Sequence, residues 1–294
     1  MRIPYLHFHL ALSLAAGLLW LWPPAALEAS VALVLLSCGL VMKISVVTPS
    51  FNQGAFIERT VQSVLEQEGD FELEYLVMDG GSTDATLDIL RRYEDRLTWV
   101  SEKDEGQGDA VNKGWRRATG NVLGWLNSDD TYEPGALAAV VTEYRKKPFE
   151  WCFGACRVID ESDAEIRRFI TGYKTSQCER YSHARLLGRN FISQPATFVS
   201  REAFLETGEI DTGLAFAMDY DYWLRLGKKY EPRYIPRCLS NFRWHDVSKN
   251  GTRFRAALRE GYLMSKKHAG KGDWAAVATH WLHYRALSVI YAVL

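Results

Sequence analysis

From residue 43 onward, short apolar runs alternate with stretches of helical period. KISVVT (43–48) is an unbroken strand-length run, and residues 55 to 67 place Ile57, Val61, Val64 and Leu65 on one helical face. EYLVMD (74–79) predicts a second strand and residues 83 to 93 a second helix. LTWVS (97–101), a helix through DAVNKGWRRA and the strand NVLGWLN (121–127) continue the alternation. Strands separated by helices of about ten residues predict an α/β fold, with a parallel sheet covered on both faces. Ligands of such sheets bind beyond the carboxyl ends of the strands. The polar clusters fall there: TPSFNQG after the first strand, DGGSTD after the second, SEKDEGQGD after the third and NSDD after the fourth.

Upstream the pattern changes. LALSLAAGLLWLW (10–22) and VALVLLSCGLVM (31–42) are apolar runs separated by PPAALEAS. Residues 1–41 therefore read as a hydrophobic N-terminal segment, either a membrane anchor or sequence upstream of a start misassigned from Met42. The expected organisation is this segment, an α/β domain over 42–265 and an apolar C-terminal helix over 266–294. In that last part WAAVATHWLHYRALSVIYAVL follows the basic run SKKHAGKG, which suits a docking helix or a membrane surface.

Composition narrows the partners. The chain has 294 residues, and a net charge of −1 gives no bulk attraction toward nucleic acid, so none is expected as a partner. The five cysteines form no CxxC pair, and Cys152 and Cys156 have no nearby histidine to complete a zinc set. They read as reduced thiols in a cytoplasmic setting.

Each polar cluster has its own chemistry. Asp79 is an acceptor at the end of the second strand. Gly80 and Gly81 allow close backbone approach, and Ser82 can cap the next helix with Asp84 in its first turn. EGQGDAVNKG sets glycines before a helix, which suits anionic groups. On that helix Val111, Trp115 and Ala118 face the sheet, so Asn112 and Lys113 are expected to turn elsewhere. Asp129 and Asp130 repel one another, and a hard divalent cation would relieve that repulsion while offering charge to a diphosphate.

ISVVTPSFNQGAFIERTVQSVLEQ, DGGSTDATLDIL, GQGDAVNKGWRRATGNVLGWLNSDD and AMDYDYWLRL, in that order, resemble the family 2 glycosyltransferases of GT-A fold. The resemblance implies a GT-A (Rossmann-like) mixed, mostly parallel sheet flanked by helices. It also implies inverting transfer of a sugar from a nucleotide-diphosphate donor to an acceptor hydroxyl, aided by Mg2+ or Mn2+, in polysaccharide or glycoconjugate biosynthesis. By the same match Asp130 would coordinate the metal and Asp129 would contact the ribose or the metal. Pro49, Phe51 and Asn52, with Asp79 and Ser82, would line the nucleotide pocket. Two departures stand out. The family often has a second acid where this chain has Gly80, and its helix after the third strand often begins Ala-Arg-Asn where this chain has Ala110-Val111-Asn112. A UDP-sugar stays the default donor, and Asp109 and Lys113 are the local candidates for replacement contacts.

Inversion needs a carboxylate on the acceptor side to take the hydroxyl proton. The family's Glu-Asp motif falls on Met218-Asp219, which makes Asp219 the expected base, with Asp221 either that base or an acid at the helix start. Trp223 reads as core, and Gln194 is expected to face the acceptor pocket. In FRWHDVSKN (242–250), His245 can join the metal or diphosphate site, and Lys249 can pair with a phosphate. A polysaccharide, lipid-linked saccharide or protein glycan is compatible as acceptor, with a saccharide or lipid-linked saccharide expected, and the expected location is cytoplasmic, at the inner face of the plasma membrane. Two rivals use the same sheet: a nucleotidyltransferase making sugar nucleotides, and a non-catalytic nucleotide-sugar-binding protein at a membrane. The first would want a basic, glycine-rich stretch after the first strand, and TPSFNQG has neither lysine nor arginine.

Overall fold

The computed structural model describes residues 42–245 and 254–293; the N-terminal apolar segment and Lys249 lie outside them. Among the described residues one nine-stranded sheet organises the chain. Strands β1 (Lys43–Ser50), β2 (Glu72–Asp79), β3 (Thr98–Ser101) and β4 (Val122–Trp125) lie parallel in the order β3-β2-β1-β4. Helices α1 (Ile57–Leu65), α2 (Thr86–Arg91) and α3 (Gln107–Arg117) make the crossovers that parallel pairing demands.

The second half extends the sheet past β4. After β5 (Thr131–Tyr132) and α4 (Ala136–Lys146) come β6 (Trp151–Ile159), β7 (Glu165–Ile166), α5 (Arg168–Cys178) and α6 (His183–Gly188). Then follow β8 (Thr197–Ser200), α7 (Arg201–Thr207), α8 (Met218–Lys229), β9 (Arg233–Arg243), α9 (Phe254–His268) and α10 (Trp274–Val293). β8 is antiparallel to both β4 and β6, β9 runs parallel to β6, and β5 closes the far edge antiparallel to β9. The sheet is mixed and mostly parallel, flanked by helices.

β1 is buried along nearly its whole length, as a central strand covered on both faces must be. α3 lies so close over it that a Cβ on Gly114 would come 2.3 Å from Val47 Cγ1, a gap only glycine leaves. The register pairs Ser50 with Asp79 and Asp79 with Ser101, so three strand ends finish level on one rim. In the core behind that rim, Trp223 stacks on Trp151 with centroids 6.0 Å apart, and Trp115 meets Phe204 and Tyr222 edge-on or tilted.

One local expectation holds and one changes. Asn112 turns away from the sheet: its Nδ2 donates to Ile210 O (2.9 Å) and its Oδ1 accepts from Ile210 N (2.9 Å), which clasps α3 to the loop before α8. Ser82 does not cap α2. Asp84 accepts from Thr86 N (3.0 Å) at that helix start, while Ser82 serves the strand-end loops. α10 packs on α9 and α6, and α9 runs across position 265. Among the described residues no helix is long and apolar enough to cross a membrane.

Candidate active site

Asp79 is almost fully buried, with its carboxylate taken up by its own surroundings. Oδ2 accepts from Gly81 N (3.0 Å), Ser82 N (2.8 Å) and Ser101 Oγ (2.6 Å), and Oδ1 accepts from Ser82 Oγ (2.5 Å). Ser82 Oγ in turn accepts from Asn52 N (2.7 Å), and Asn52 Oδ1 accepts from Thr83 N (2.9 Å). These bonds latch the loops after β1 and β2 together and hold Asn52 at φ 52°, a left-handed geometry that asparagine tolerates. Asp79 and Ser82 are thus pins that shape the rim, and Phe51, 58 % exposed, stands on it with Asn52 while Pro49 is buried beneath. Asp109 and Lys113 pair with each other at 3.1 Å on α3, and Lys113 also reaches Glu102 at 3.3 Å. Burial would raise the Asp109 carboxyl, but the Glu105 N–H and then Lys113 hold it below its ordinary range.

The adjacent acids after β4 part ways. Asp130 has no exposed surface; its Oδ1 accepts from Arg243 N (2.9 Å) and its Oδ2 from Asn127 Nδ2 (3.2 Å). Burial first, and the Asp129 charge second, push its carboxyl well above the ordinary range. Expected as the metal ligand, Asp130 instead turns inward with both oxygens engaged, because β9 closes over it. Asp129 keeps 21 % of its side chain exposed, and its Oδ2 lies 3.0 Å from His245 Nε2. The His245 ring leans on Phe56 at 4.7 Å, and its Nδ1 is buried without a partner among the described residues.

Arg243 joins these parts. Fully buried, it donates through Nε to Asp129 O (2.8 Å) and through Nη1 to Asp160 O (2.7 Å), and it pairs with Asp163 at 2.5 Å. Asn127 is a second hub: Oδ1 accepts from Gln107 Nε2 (2.6 Å) and Trp125 Nε1 (2.8 Å), and Nδ2 also donates to Gln194 Oε1 (3.0 Å). Gln194, expected to face an acceptor, is buried and spent on this hub and on Trp125 O (2.5 Å).

Asp219 lies in the first turn of α8, half-buried, with Oδ1 accepting from Tyr220 N (2.7 Å). Burial pushes its carboxyl up to about 6, against the opposing pull of the Tyr220 N–H, the Lys174 charge and a hydrogen bond with Asn190. Glu260 of α9 sets this turn by accepting from Ala215 N (3.0 Å), Phe216 N (2.5 Å) and Ala217 N (2.6 Å). Asp221 is different. It is 1 % exposed and tied to Arg225 (2.9 Å), Lys267 (3.0 Å) and His268 (2.7 Å). Burial would raise its carboxyl, but His268, Lys267 and Arg225 outweigh it and hold the group far below the ordinary range. So committed, Asp221 locks α8 to α9 and is no proton acceptor.

The N-terminus of α3 touches both acidic segments. Gln107 bonds to Asn127, two residues before Asp129, while a Cβ on Gly108 would sit 3.5 Å from Met218 Sδ, one residue before Asp219. Sequence reasoning missed Arg243 and Glu260, whose roles lie in partners 114 and about 44 residues away, beyond any local pattern. Asn127 and Gln107 stood inside quoted motifs, but nothing local marked them as a pair.

A metal fits only part of this arrangement. Among the described residues no group of three or more His, Cys, Asp or Glu side chains converges on a possible ion. Asp129 and His245 offer one carboxylate and one imidazole, which suits an ion that completes its shell from diphosphate oxygens and water.

Comparison with known proteins places this geometry. The profile described as Glycosyl transferase family 2 matches residues 45–208, just over half of the chain. A Bacillus subtilis protein named as a teichuronic acid biosynthesis glycosyltransferase, TuaG, is 28 % identical over 243 residues, covering 80 % of this chain and 93 % of its own. Staphylococcus aureus TarS (residues 1–349), solved with UDP-GlcNAc, matches at TM-score 0.60 and 16 % identity, over 76 % of this chain and 66 % of its own. A Pyrobaculum calidifontis mannosyltransferase, solved with GDP-Man and Mn2+, matches at TM-score 0.59 and 19 % identity, over 85 % and 79 %. These likenesses establish the GT-A fold, and with the profile match over more than half of its length the chain belongs to glycosyl transferase family 2.

Proposed function

We propose that the protein is an inverting glycosyltransferase that moves a sugar from a nucleotide-diphosphate donor, UDP-linked by default, to a saccharide or lipid-linked saccharide hydroxyl in cell-surface polysaccharide synthesis. The observation that carries this reading is that the N-terminus of α3 adjoins two acidic segments, the loop after β4 through Gln107 and the start of α8 through Gly108. The first presents Asp129 with His245, and the second presents Asp219, whose carboxyl burial lifts to about 6. A group with that affinity accepts a proton near neutral pH far better than an ordinary carboxylate and still sheds it.

In this reading Asp129 and His245 hold the cation, and Asp130 keeps the loop in place from below. When bound, Mg2+ or Mn2+ supplies positive charge to the departing nucleoside diphosphate. Phe51 offers an exposed aromatic face to the donor base, over a rim set by Pro49, Asn52, Asp79 and Ser82. Asp109 and Lys113 flank the α3 end of that rim. Asp219 takes the proton from the acceptor hydroxyl as it attacks the anomeric carbon on the face opposite the leaving group. The α9–α10 side exposes Trp274 (76 %), Trp281, Leu282 and Val289 beside exposed Lys266 and Lys271, which supports work at the inner face of the plasma membrane.

The full chain, incubated with a panel of nucleotide sugars and Mn2+, tests this reading through release of nucleoside diphosphate. Turnover is expected with at least one donor and is expected to collapse in Asp129→Asn and Asp219→Asn. Turnover unchanged in either variant refutes the role of that residue, and no donor turnover or binding at all refutes the reading.

A further inference from the structure

The position where the family often carries a second acid after β2 is Gly80, and the structure shows what stands in its place. A Cβ built on Gly80 would lie 2.8 Å from Asp104 Oδ2 and 3.2 Å from its Cγ. The Asp104 carboxyl, arriving from the loop after β3, fills the space a side chain at 80 would enter. Its Oδ1 accepts from Gly106 N (2.8 Å), which fixes the turn into α3, while Oδ2 takes no hydrogen bond among the described residues. On the same rim Asp79 has no free oxygen to offer, since its own loops use both. Gly80 N bonds to Ser50 O at 2.8 Å, so exposed Phe51 begins directly beside this carboxyl.

We propose that Asp104 is the residue that reads the donor's nucleobase, with Oδ2 accepting the ring N–H of uracil or guanine. This rests on the nucleotide-sugar reading above. A carboxylate is acceptor-only, so it selects a base edge whose central atom is a donor. Uracil N3–H and guanine N1–H meet that requirement. Cytosine N3 and adenine N1 place a lone pair there and are repelled. Gly80 is glycine because any side chain would displace the carboxyl that does the reading.

The variant Asp104→Asn separates reading from a merely structural turn. The amide oxygen can keep the bond from Gly106 N, which leaves the amide nitrogen, a donor, where Oδ2 stood. Titration calorimetry of UDP, GDP, CDP and ADP with Mn2+ against the full chain and this variant is the test. The parent is expected to bind UDP or GDP more tightly than CDP and ADP. The variant is expected to lose about tenfold to a hundredfold of that preference with unchanged thermal stability. Gly80→Ala, which pushes the carboxyl aside, is expected to erode the same preference. A parent that discriminates and an Asp104→Asn variant that discriminates equally overturn the role of Asp104 alone. A parent that prefers CDP or ADP, or does not discriminate, overturns it as well. Failure of all four nucleotides to bind the parent overturns the donor reading together with this inference.

Discussion

Glu260→Ala tests how the catalytic turn is held. The Glu260 carboxylate accepts three consecutive backbone N–H groups, from Ala215, Phe216 and Ala217, at the helix start that carries Asp219. A hydrogen bond to a charged group contributes about 1.5–3 kcal/mol net, and a helix N-cap about 1 kcal/mol. The three are not additive, because one carboxylate serves them all and water can reach the exposed Ala215 end, so the loss expected is about 2–4 kcal/mol. For a domain of this size each kcal/mol moves Tm by roughly 2–4 °C, which predicts a fall of about 5–15 °C. Glu260→Gln keeps an acceptor but not the charge and should fall by less than half as much. If the contact also positions Asp219, kcat should drop in Glu260→Ala while donor affinity holds, and the acid limb of the pH profile should shift. Differential scanning calorimetry and steady-state kinetics read both. A Tm within about 1 °C of the parent would refute the cap as a stabilising element, and an unmoved pH profile would refute the positioning role.

Asp219→Asn should cut kcat by about 10²–10⁴-fold with donor binding intact. In the parent, burial raises the Asp219 pKa, so the inactive protonated form persists to higher pH. kcat/KM is therefore expected to rise with pH through a midpoint near 6, and a midpoint near the ordinary carboxylate value of about 4 would count against the assignment. Asp129→Asn and His245→Ala should each abolish most of the Mn2+-dependent thermal stabilisation by nucleoside diphosphate, as should chelation, whereas Asp130→Asn should retain it on a lower baseline. Arg243→Met takes the guanidinium away from buried Asp130 and from the part-buried carbonyls of Asp129 and Asp160 and should cost about 3–5 kcal/mol, read by denaturant unfolding.

The parallel half of the fold was legible because its strands are uniformly apolar and its helices carry one apolar face. Ile57, Val61 and Val64 of α1 and Val111, Trp115 and Ala118 at α3 are buried as their spacing requires. The second, mixed half was not legible. β9, RYIPRCLSNFR, carries three arginines and Pro236, so no period of two emerges. Its register against β6 slips between Gly154 and Cys156, with Ile235 and Cys238 as successive partners around the proline, and such an irregularity defeats alternation counting. The charge in that strand belongs to long-range partners: Arg237 reaches Pro134 O and Arg243 reaches the loop after β4. The partner of Asn112 was illegible for a related reason, since the surface it faces is built by a segment 98 residues further on.

The adjacent acids carry the functional argument, and their chemistry depends on β9. Read locally, Asp129 and Asp130 repel each other and invite one ion to neutralise both. In the fold their carboxylates share no hydrogen-bond partner. Asp130 is enclosed and bonded to Arg243 N, the Arg243 guanidinium grips Asp129 O, and His245, two residues beyond, meets the Asp129 carboxylate. One strand end thus shields the inner acid, fixes the backbone between the pair and adds a nitrogen donor to the outer acid. The loop's shape is held by protein groups alone, so an incoming ion does not have to organise it. In the proposed reading only Asp129 of this motif would meet a cation, which would draw the rest of its shell from His245, water and the diphosphate. An ion held by so few protein donors should bind weakly alone and tightly only with nucleotide, and this coupling follows directly from the inward turn of Asp130.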